Sequence, residues 1–343
     1  MDKIENRKEV TINDLARELR VSKSTVSRAL QDHHSIGEVT KQAVRELAQK
    51  YNYHPNAIAA SLYKKSTNTI GVIVPILSHY FFSTAISGME EIAYKAGYKV
   101  IICQSDESYE KEVSLTKTLL SAKVDGLIVS VSKATEDIEH FNLFLKKNIP
   151  LVFFDRLPEG IETHSVSADD YWGAYKVTEH LIEQGYKRIA HFTGSLTINL
   201  SHNRLRGYLK ALTDHHLPVD EQLIIECGFE RNHGVKAAEE LLQRADLPDA
   251  IFCVSDPVAI GVMLTLKKQG IRIPQDIAVA GFNNDPTSTV IDPPLTTVYQ
   301  PAFEIGAAAV DVFLNQVRGG EKELVKKVLP TKLLIRESSI KAF

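Results

Sequence analysis

The chain has 343 residues, 44% of them hydrophobic and 24% charged, with a formal net charge of −3. That length accommodates two or three domains with sizeable cores, and no apolar run of about 18 residues is present to span a bilayer. Cys103, Cys227 and Cys253 are far apart and form no C-x-x-C pair, which argues against a disulfide framework or zinc site and suits a reducing cytoplasm.

The opening MDKIENRKEV lacks the apolar stretch of a signal peptide, so export is not expected and the predicted location is cytoplasmic. Charge is unevenly spread. Residues 1–66 carry a net +4 and the remainder a net −7, so only the head is expected to approach a polyanion.

In the head, Ile12, Leu15, Ala16 and Leu19 fall on one helical face. Thr11 can cap that helix, with Asp14 three residues on. After a break at Arg20-Val21, Ser22 caps a second helix, Lys23 to Leu30, with Val26, Ala29 and Leu30 inward. Val21 and Val26 are placed to staple its first turn. Two short helices joined so tightly, with the small Ala16 allowing close approach, describe a helix-turn-helix. Lys23, Ser24, Ser27 and Arg28 form the outer face of the second helix. Short hydroxyls and two cations are what a helix needs to read base edges in a major groove; a solvated polar face is the alternative.

A third helix, about Thr40 to Tyr51, is expected to close a three-helix core with Ala43, Val44, Leu47, Ala48 and Tyr51 inward. Pro55 then stops the helix, and Asn56 can cap a short Ala-rich one that orders only against a partner.

The run VTINDLARELRVSKSTVSRAL followed by YNYHPNAIAASL resembles the N-terminus of the lactose-repressor (LacI/GalR) family. The resemblance implies a regulator, in all expectation a repressor, whose hinge folds in the minor groove of operator DNA bound by a homodimer. It puts a wedge at Leu62 that opens the central base step, with Lys23, Ser24 and Arg28 at base-reading positions and Thr25 and Ser27 near phosphates. Thr11, Ser22 and Asn56 complete the expected DNA-contacting set. The sequence departs from the family at Arg20, where a small residue is common, and at Ala60, where many members have a basic one.

From Thr69, apolar strands alternate with amphipathic helices. Strands are expected at Ile70–Val74, Lys99–Cys103, Gly126–Val131, Leu151–Phe154, Arg188–Phe192, Ala250–Val254 and Ile277–Phe282. Helices between them include Phe82–Ala96, Lys111–Ala122, Tyr171–Gln184 and Val258–Gln269. The pattern predicts parallel sheets covered on both sides. TIGVIVP, VDGLIVS, PLVFFDR, NRLRGY, DAIFCVSD, DIAVAGFNND and PPLTTVYQP resemble the family's sensor. The fold expected is therefore an all-α helix-turn-helix head followed by an α/β periplasmic-binding-protein-like sensor with two Rossmann-like subdomains. The resemblance also implies three crossings, with Ala302–Val317 returning to the first half and a strand near Lys332–Ile335 to the second. Expected boundaries are 1–54 for the head, 55–66 for the hinge and linker, and 67–343 for the sensor. Within the sensor, about 67–167 and 301–328 form one subdomain, and about 168–300 and 329–343 the other.

Strand ends facing the cleft should carry ligand contacts. They offer Asp155, Arg156, Ser255, Asp256, Asn283, Asn284 and Asp285, with Tyr80, Phe81, Trp172 and Phe229 nearby. Planar polar groups and aromatic faces suit a carbohydrate. By the resemblance, Arg204 of NRLRGY matches the family's ligand-binding arginine. Phe81, Asp155, Phe229, Asp256 and Asn283 fall on or beside pocket positions. Asp256 is alternatively an N-cap, Trp172 core, and Arg204 a surface ion-pair member. The same resemblance implies that Ile198 and Leu200, apolar where nucleobase-binding members present polar groups, disfavour a purine, while Asn283, at a position frequently acidic in the family, leaves a carboxylated sugar conceivable.

No Gly-rich phosphate loop, His-x-x-x-His pair or G-x-S-x-G elbow occurs, so neither an enzyme nor a metal or cofactor is expected. A sugar-binding receptor or sugar-processing protein is the alternative reading.

Overall fold

Thr11 and Ser22 open the first two helices. The computed structural model describes residues 10–53, 66–319 and 323–341, and the chain divides into two compact units, 1–67 and 68–343. In the first, α1 (Ile12–Glu18), α2 (Lys23–Leu30) and α3 (Glu38–Lys50) enclose Leu15, Val26, Ala29, Val44 and Leu47. Asp14 accepts from the Thr11 N–H and hydroxyl at 3.0 and 2.7 Å, which ties the start of α1.

The turn after α1 closes through Arg20, whose φ is +54°. Its N–H donates to the Arg17 carbonyl at 3.2 Å, and the Val21 N–H donates to Ala16 at 3.0 Å. This pair of bonds is a Schellman closure, which favours glycine at the left-handed position. Val21 packs beside Val26 against the same core. Tyr51, expected inside, is 38% exposed, and Tyr53 packs inward in its place. Asn52, at φ +48°, reverses the chain, and the Tyr53 N–H returns to the Ala48 carbonyl at 2.8 Å. The predicted hinge, with Asn56, Ala60 and Leu62, lies outside the described residues.

The second unit holds two six-stranded sheets. The first contains β1 (Thr69–Val74), β2 (Lys99–Gln104), β3 (Gly126–Val129), β4 (Leu151–Phe154), β5 (His164–Ala168) and β11 (Lys326–Leu329), in the order β11-β5-β4-β3-β1-β2. The second contains β6 (Ile189–Thr193), β7 (Ile224–Glu226), β8 (Ala250–Cys253), β9 (Ala278–Asn283), β10 (Thr296–Tyr299) and β12 (Lys332–Leu334), in the order β12-β10-β9-β8-β6-β7. Every pairing is parallel except β10 with β12. The chain passes between the sheets three times: after β5, after β10 and between β11 and β12.

Strand alternation supplies both faces of each sheet. Ile70, Val72 and Val74 point to the core under α4 (Tyr80–Lys95) and α11 (Ala302–Val317), while Ile73 points to the one under α5 (Tyr109–Ser121) and α6 (Glu139–Lys146). In the second sheet, Phe192 and Ile251 face α9 (Arg231–Leu241) and α10 (Asp256–Lys268). Phe252 and Phe282 face α7 (Asp170–Glu183) and α8 (Asn199–Asp214). α4 and α11 touch through glycines: a Cβ at Gly88 would lie 2.1 Å from the Phe303 carbonyl oxygen, and one at Gly306 1.8 Å from that of Ala85.

β1 lies between β2 and β3, and β6 between β7 and β8. Connections leave such strands in opposite directions and open a crevice at their C-terminal ends.

Candidate functional site

On the head, α2 turns Lys23, Ser24 and Arg28 outward, with Thr25 and Ser27 half-buried. Ser22 Oγ accepts from the Thr25 N–H at 3.0 Å and lies 2.7 and 2.8 Å from the Ser24 and Thr25 hydroxyls. That cluster fixes the N-terminal turn, the part of a recognition helix that meets base edges. Thr11 is exposed at the start of α1.

In the second unit, a cleft open to solvent lies at the strand C-terminal ends. Phe81 and Tyr80 reach it from the first turn of α4, and Phe229 from the loop ahead of α9. The Ser255 hydroxyl donates to the Phe229 carbonyl at 2.9 Å and fixes that loop. These rings provide apolar faces between the polar groups.

Asp155 follows β4 in the left-handed region, at φ +58°, and is 4% exposed. Burial and nearby Asp170 push its carboxyl up to about 6, while Arg156, Arg204 and the Gln300 amide oppose the rise. Gln300, on the crossover between β10 and α11, donates to Asp155 at 3.0 Å and accepts from the Asn283 amide at 2.6 Å.

Two arginines line the cleft, each with an acid behind it. Arg204 donates from Nε and Nη2 to Asp170 Oδ1 at 2.9 and 2.7 Å, and lies 3.6 Å from the Phe282 ring centroid. Burial raises the Asp170 carboxyl, and Arg204 counters it. Arg156 Nη1 donates to both Glu107 oxygens at 2.8 and 2.9 Å, and its guanidinium lies 5.2 Å from the Phe229 ring across the cleft.

The structure thus brings Tyr80, Phe81, Asp155, Arg204, Phe229 and Asn283 to one cleft. Asp256 is not on its wall. It is fully buried, accepting from the Thr297 hydroxyl at 2.6 Å and the Asp285 N–H at 2.7 Å. Burial pushes its carboxyl up to about 7, and Ser255 takes the N-cap position. Its role is to tie the end of β9 to α10. Trp172 is neither in the cleft nor in the core: it is 47% exposed on α7, stacked on Tyr175 at 5.0 Å. Arg204 is no surface residue, since it is 2% exposed. Asn283 donates its amide to Gln300, and Arg204 is matched by Asp170.

Gln300, His79 and Phe82 also line the cleft and were not singled out in the sequence. Their signal is positional: each stands just ahead of or just inside the helix that follows a strand. Among the described residues no group of His, Cys, Asp or Glu is arranged to hold a metal, and no helix is long and apolar enough to cross a membrane.

The model of bacterial regulatory proteins of the lacI family matches residues 11–56, and that of the periplasmic binding protein-like domain matches residues 178–339. The HTH-type transcriptional repressor PurR of Vibrio atlanticus (strain LGP32) is 36% identical over 313 residues, covering 91% of this chain and 93% of that protein. The lac repressor dimer bound to operator and the anti-inducer ONPF superposes with a TM-score of 0.86 at 26% identity, covering 98% of this chain and all of that one. The transcriptional regulator CelR–cellobiose complex gives 0.75 at 27% identity, covering 96% and 99%. A DNA-reading head, a two-sheet sensor and a repressor aligned over nine-tenths of the length agree: the chain belongs to the lacI family of DNA-binding bacterial regulatory proteins.

Proposed function

We propose that the chain is a repressor that binds a pseudo-palindromic operator as a homodimer and changes its operator affinity when a carbohydrate enters the cleft. The observation that carries this reading is the Asn283–Gln300–Asp155 relay. It spans the crevice between the two sheets, so a molecule touching it acts on both lobes at once. Aromatic faces beside planar hydrogen-bonding groups favour a polyhydroxylated ring, and the CelR complex holds cellobiose.

By the family resemblance, α2 enters the major groove with Lys23, Ser24 and Arg28 toward the bases, and Leu62 wedges the minor groove. Two-fold symmetry of the protein then matches that of the operator. The edge strand β2, with Ile101 and Ile102 each 41% exposed, leaves apolar groups for a second copy to cover.

The cleft is read as a binding site and not a catalytic one. Its arginines are paired with acids and its buried Asp155 holds the Gln300 crossover, which suits recognition more than turnover. Coupling is the difference in effector affinity between the two lobe arrangements, typically about 1–3 kcal/mol. The test is a thermal-shift screen of mono- and disaccharides on the full chain, repeated with Arg204→Ala. A stabilising sugar whose shift vanishes in the variant supports the reading; a shift that survives moves the site elsewhere.

A further inference from the structure

The turn that carries Glu107 is unusual. Asp106 and Glu107 both adopt the left-handed region, at φ +53° and +58°, and the Ser108 N–H closes onto the Ser105 carbonyl at 3.0 Å. A type I′ turn of this kind ordinarily takes Asn-Gly or Asp-Gly, because the left-handed region disfavours most side chains, so Glu107 at the second central position is the unusual residue. Here two acids occupy it. Asp106 is held by Gln104 and Lys111. Glu107 faces inward, 14% exposed, gripping Arg156 and accepting from the Lys133 N–H at 2.8 Å. Strain retained at a site marks geometry that its surroundings enforce.

The second arginine has the same arrangement, with Asp170 buried behind Arg204. Neither cation is left with unmatched charge. Arg204 has five N–H donors and uses one each from Nε, Nη1 and Nη2, the Nη1 bond going to the Val254 carbonyl at 2.5 Å. Hydrogen-bonding capacity therefore remains on a guanidinium whose charge is spoken for. The wall adds acids without further cations, since Asp155 and Asp285 both line the cleft.

From this geometry we infer that the cleft discriminates by charge: Glu107 and Asp170 turn Arg156 and Arg204 into neutralised donors, so the site accepts an uncharged polyhydroxylated ring and rejects its sugar-acid or sugar-phosphate counterpart. This rests on the carbohydrate reading above. An anion entering meets two carboxylates on the wall and no unmatched cation. Like-charge contact in a half-closed crevice outweighs the hydrogen bonds such a group gains. Glu107 is a positioning residue in this scheme: it touches Arg156 and not the effector.

The test is calorimetry on the full chain with matched ligands: neutral mono- and disaccharides, each paired with its uronate or its phosphate. The neutral member of the binding pair is expected to bind roughly a hundredfold more tightly or better. Glu107→Gln, which leaves Arg156 without its counter-charge, is expected to move the neutral-to-acid preference toward the acid by about tenfold. A merely loosened loop would weaken both members alike and leave that ratio in place. Asp285→Asn, on the wall itself, moves the ratio the same way and serves if Glu107→Gln does not fold. Equal or tighter binding of the acid by the unaltered chain overturns the inference and leaves the carbohydrate reading standing. A ratio unmoved in the folded variants also overturns it. Failure of every sugar, neutral or acidic, to bind overturns the carbohydrate reading and this inference with it.

Discussion

The Gln300 amide donates to the Asp155 carboxylate at 3.0 Å, joining the crossover that leaves β10 of the second sheet to the end of β4 in the first. Because Gln300 Oε1 is occupied by the Asn283 amide, its Nε2 can only point at the acid. In the function proposed above, this crossover registers whatever occupies the crevice.

Asp155 makes this junction dependent on pH. Its carboxyl titrates near 6 in the folded chain against an ordinary 3.8, so the folded state holds more protons between those values. The stability this contributes is fully present below about 3.8 and is lost as pH rises through about 6. Asp155→Asn keeps an acceptor for Gln300, removes the buried charge and tolerates a left-handed φ better. It should raise stability at pH 7.5 by at most about 3 kcal/mol and reduce the dependence between pH 4 and 7 to the share that buried Asp256, pushed up to about 7, still contributes, while weakening effector binding. Urea denaturation across that range checks it; a variant less stable at pH 7.5 and equally pH-dependent would refute the account of this carboxyl.

Arg20 is the weak point of the helix-turn-helix. A glycine at its φ of +54° removes the Cβ conflict at the Schellman position. Arg20→Gly should stabilise the head by about 1 kcal/mol, read as slower amide hydrogen exchange over residues 15–30. Faster exchange would show that the arginine side chain contributes more than its backbone costs.

Gly306 lets α11 return against α4. A methyl group there meets the Ala85 carbonyl oxygen at 1.8 Å, and backbone gives way less readily than a side chain. Gly306→Ala should destabilise the second unit by about 1–3 kcal/mol in thermal or urea denaturation. An unchanged midpoint would mean the two helices separate freely.

What the sequence disclosed follows from how local each signal is. The bounds of α1 and α2 were legible because Thr11 and Ser22 announce them, and the buried strands because TIGVIV and LVFF are continuous apolar runs. His164–Ala168, Ile224–Glu226, Thr296–Tyr299 and Lys326–Leu329 were not read as strands: they are short, and most are interrupted by polar residues. β7, at a sheet edge, is covered only in part, so its pattern is not that of a core strand. Within the site, Asp155 and Arg204 were visible from their motifs. Asp256 and Trp172 were misplaced because position at a strand or helix end does not say which way a side chain faces. Glu107 escaped notice because its partner Arg156 is 49 residues away.

Arg28 stands exposed on α2, and among the described residues no carboxylate pairs with it. Arg28→Ala should reduce discrimination between the preferred duplex and a scrambled one by about 1–3 kcal/mol, measured by fluorescence anisotropy. Unaltered discrimination would remove this residue from base reading.

The claim that the chain is a two-fold-symmetric, sequence-reading repressor is tested most directly by selection from a random duplex library with the purified full chain, with and without the sugar found in the screen. The account predicts enrichment of one pseudo-palindromic motif, with recovery that changes when the sugar is added. Recovery of no motif, or of an asymmetric one indifferent to the sugar, would contradict it.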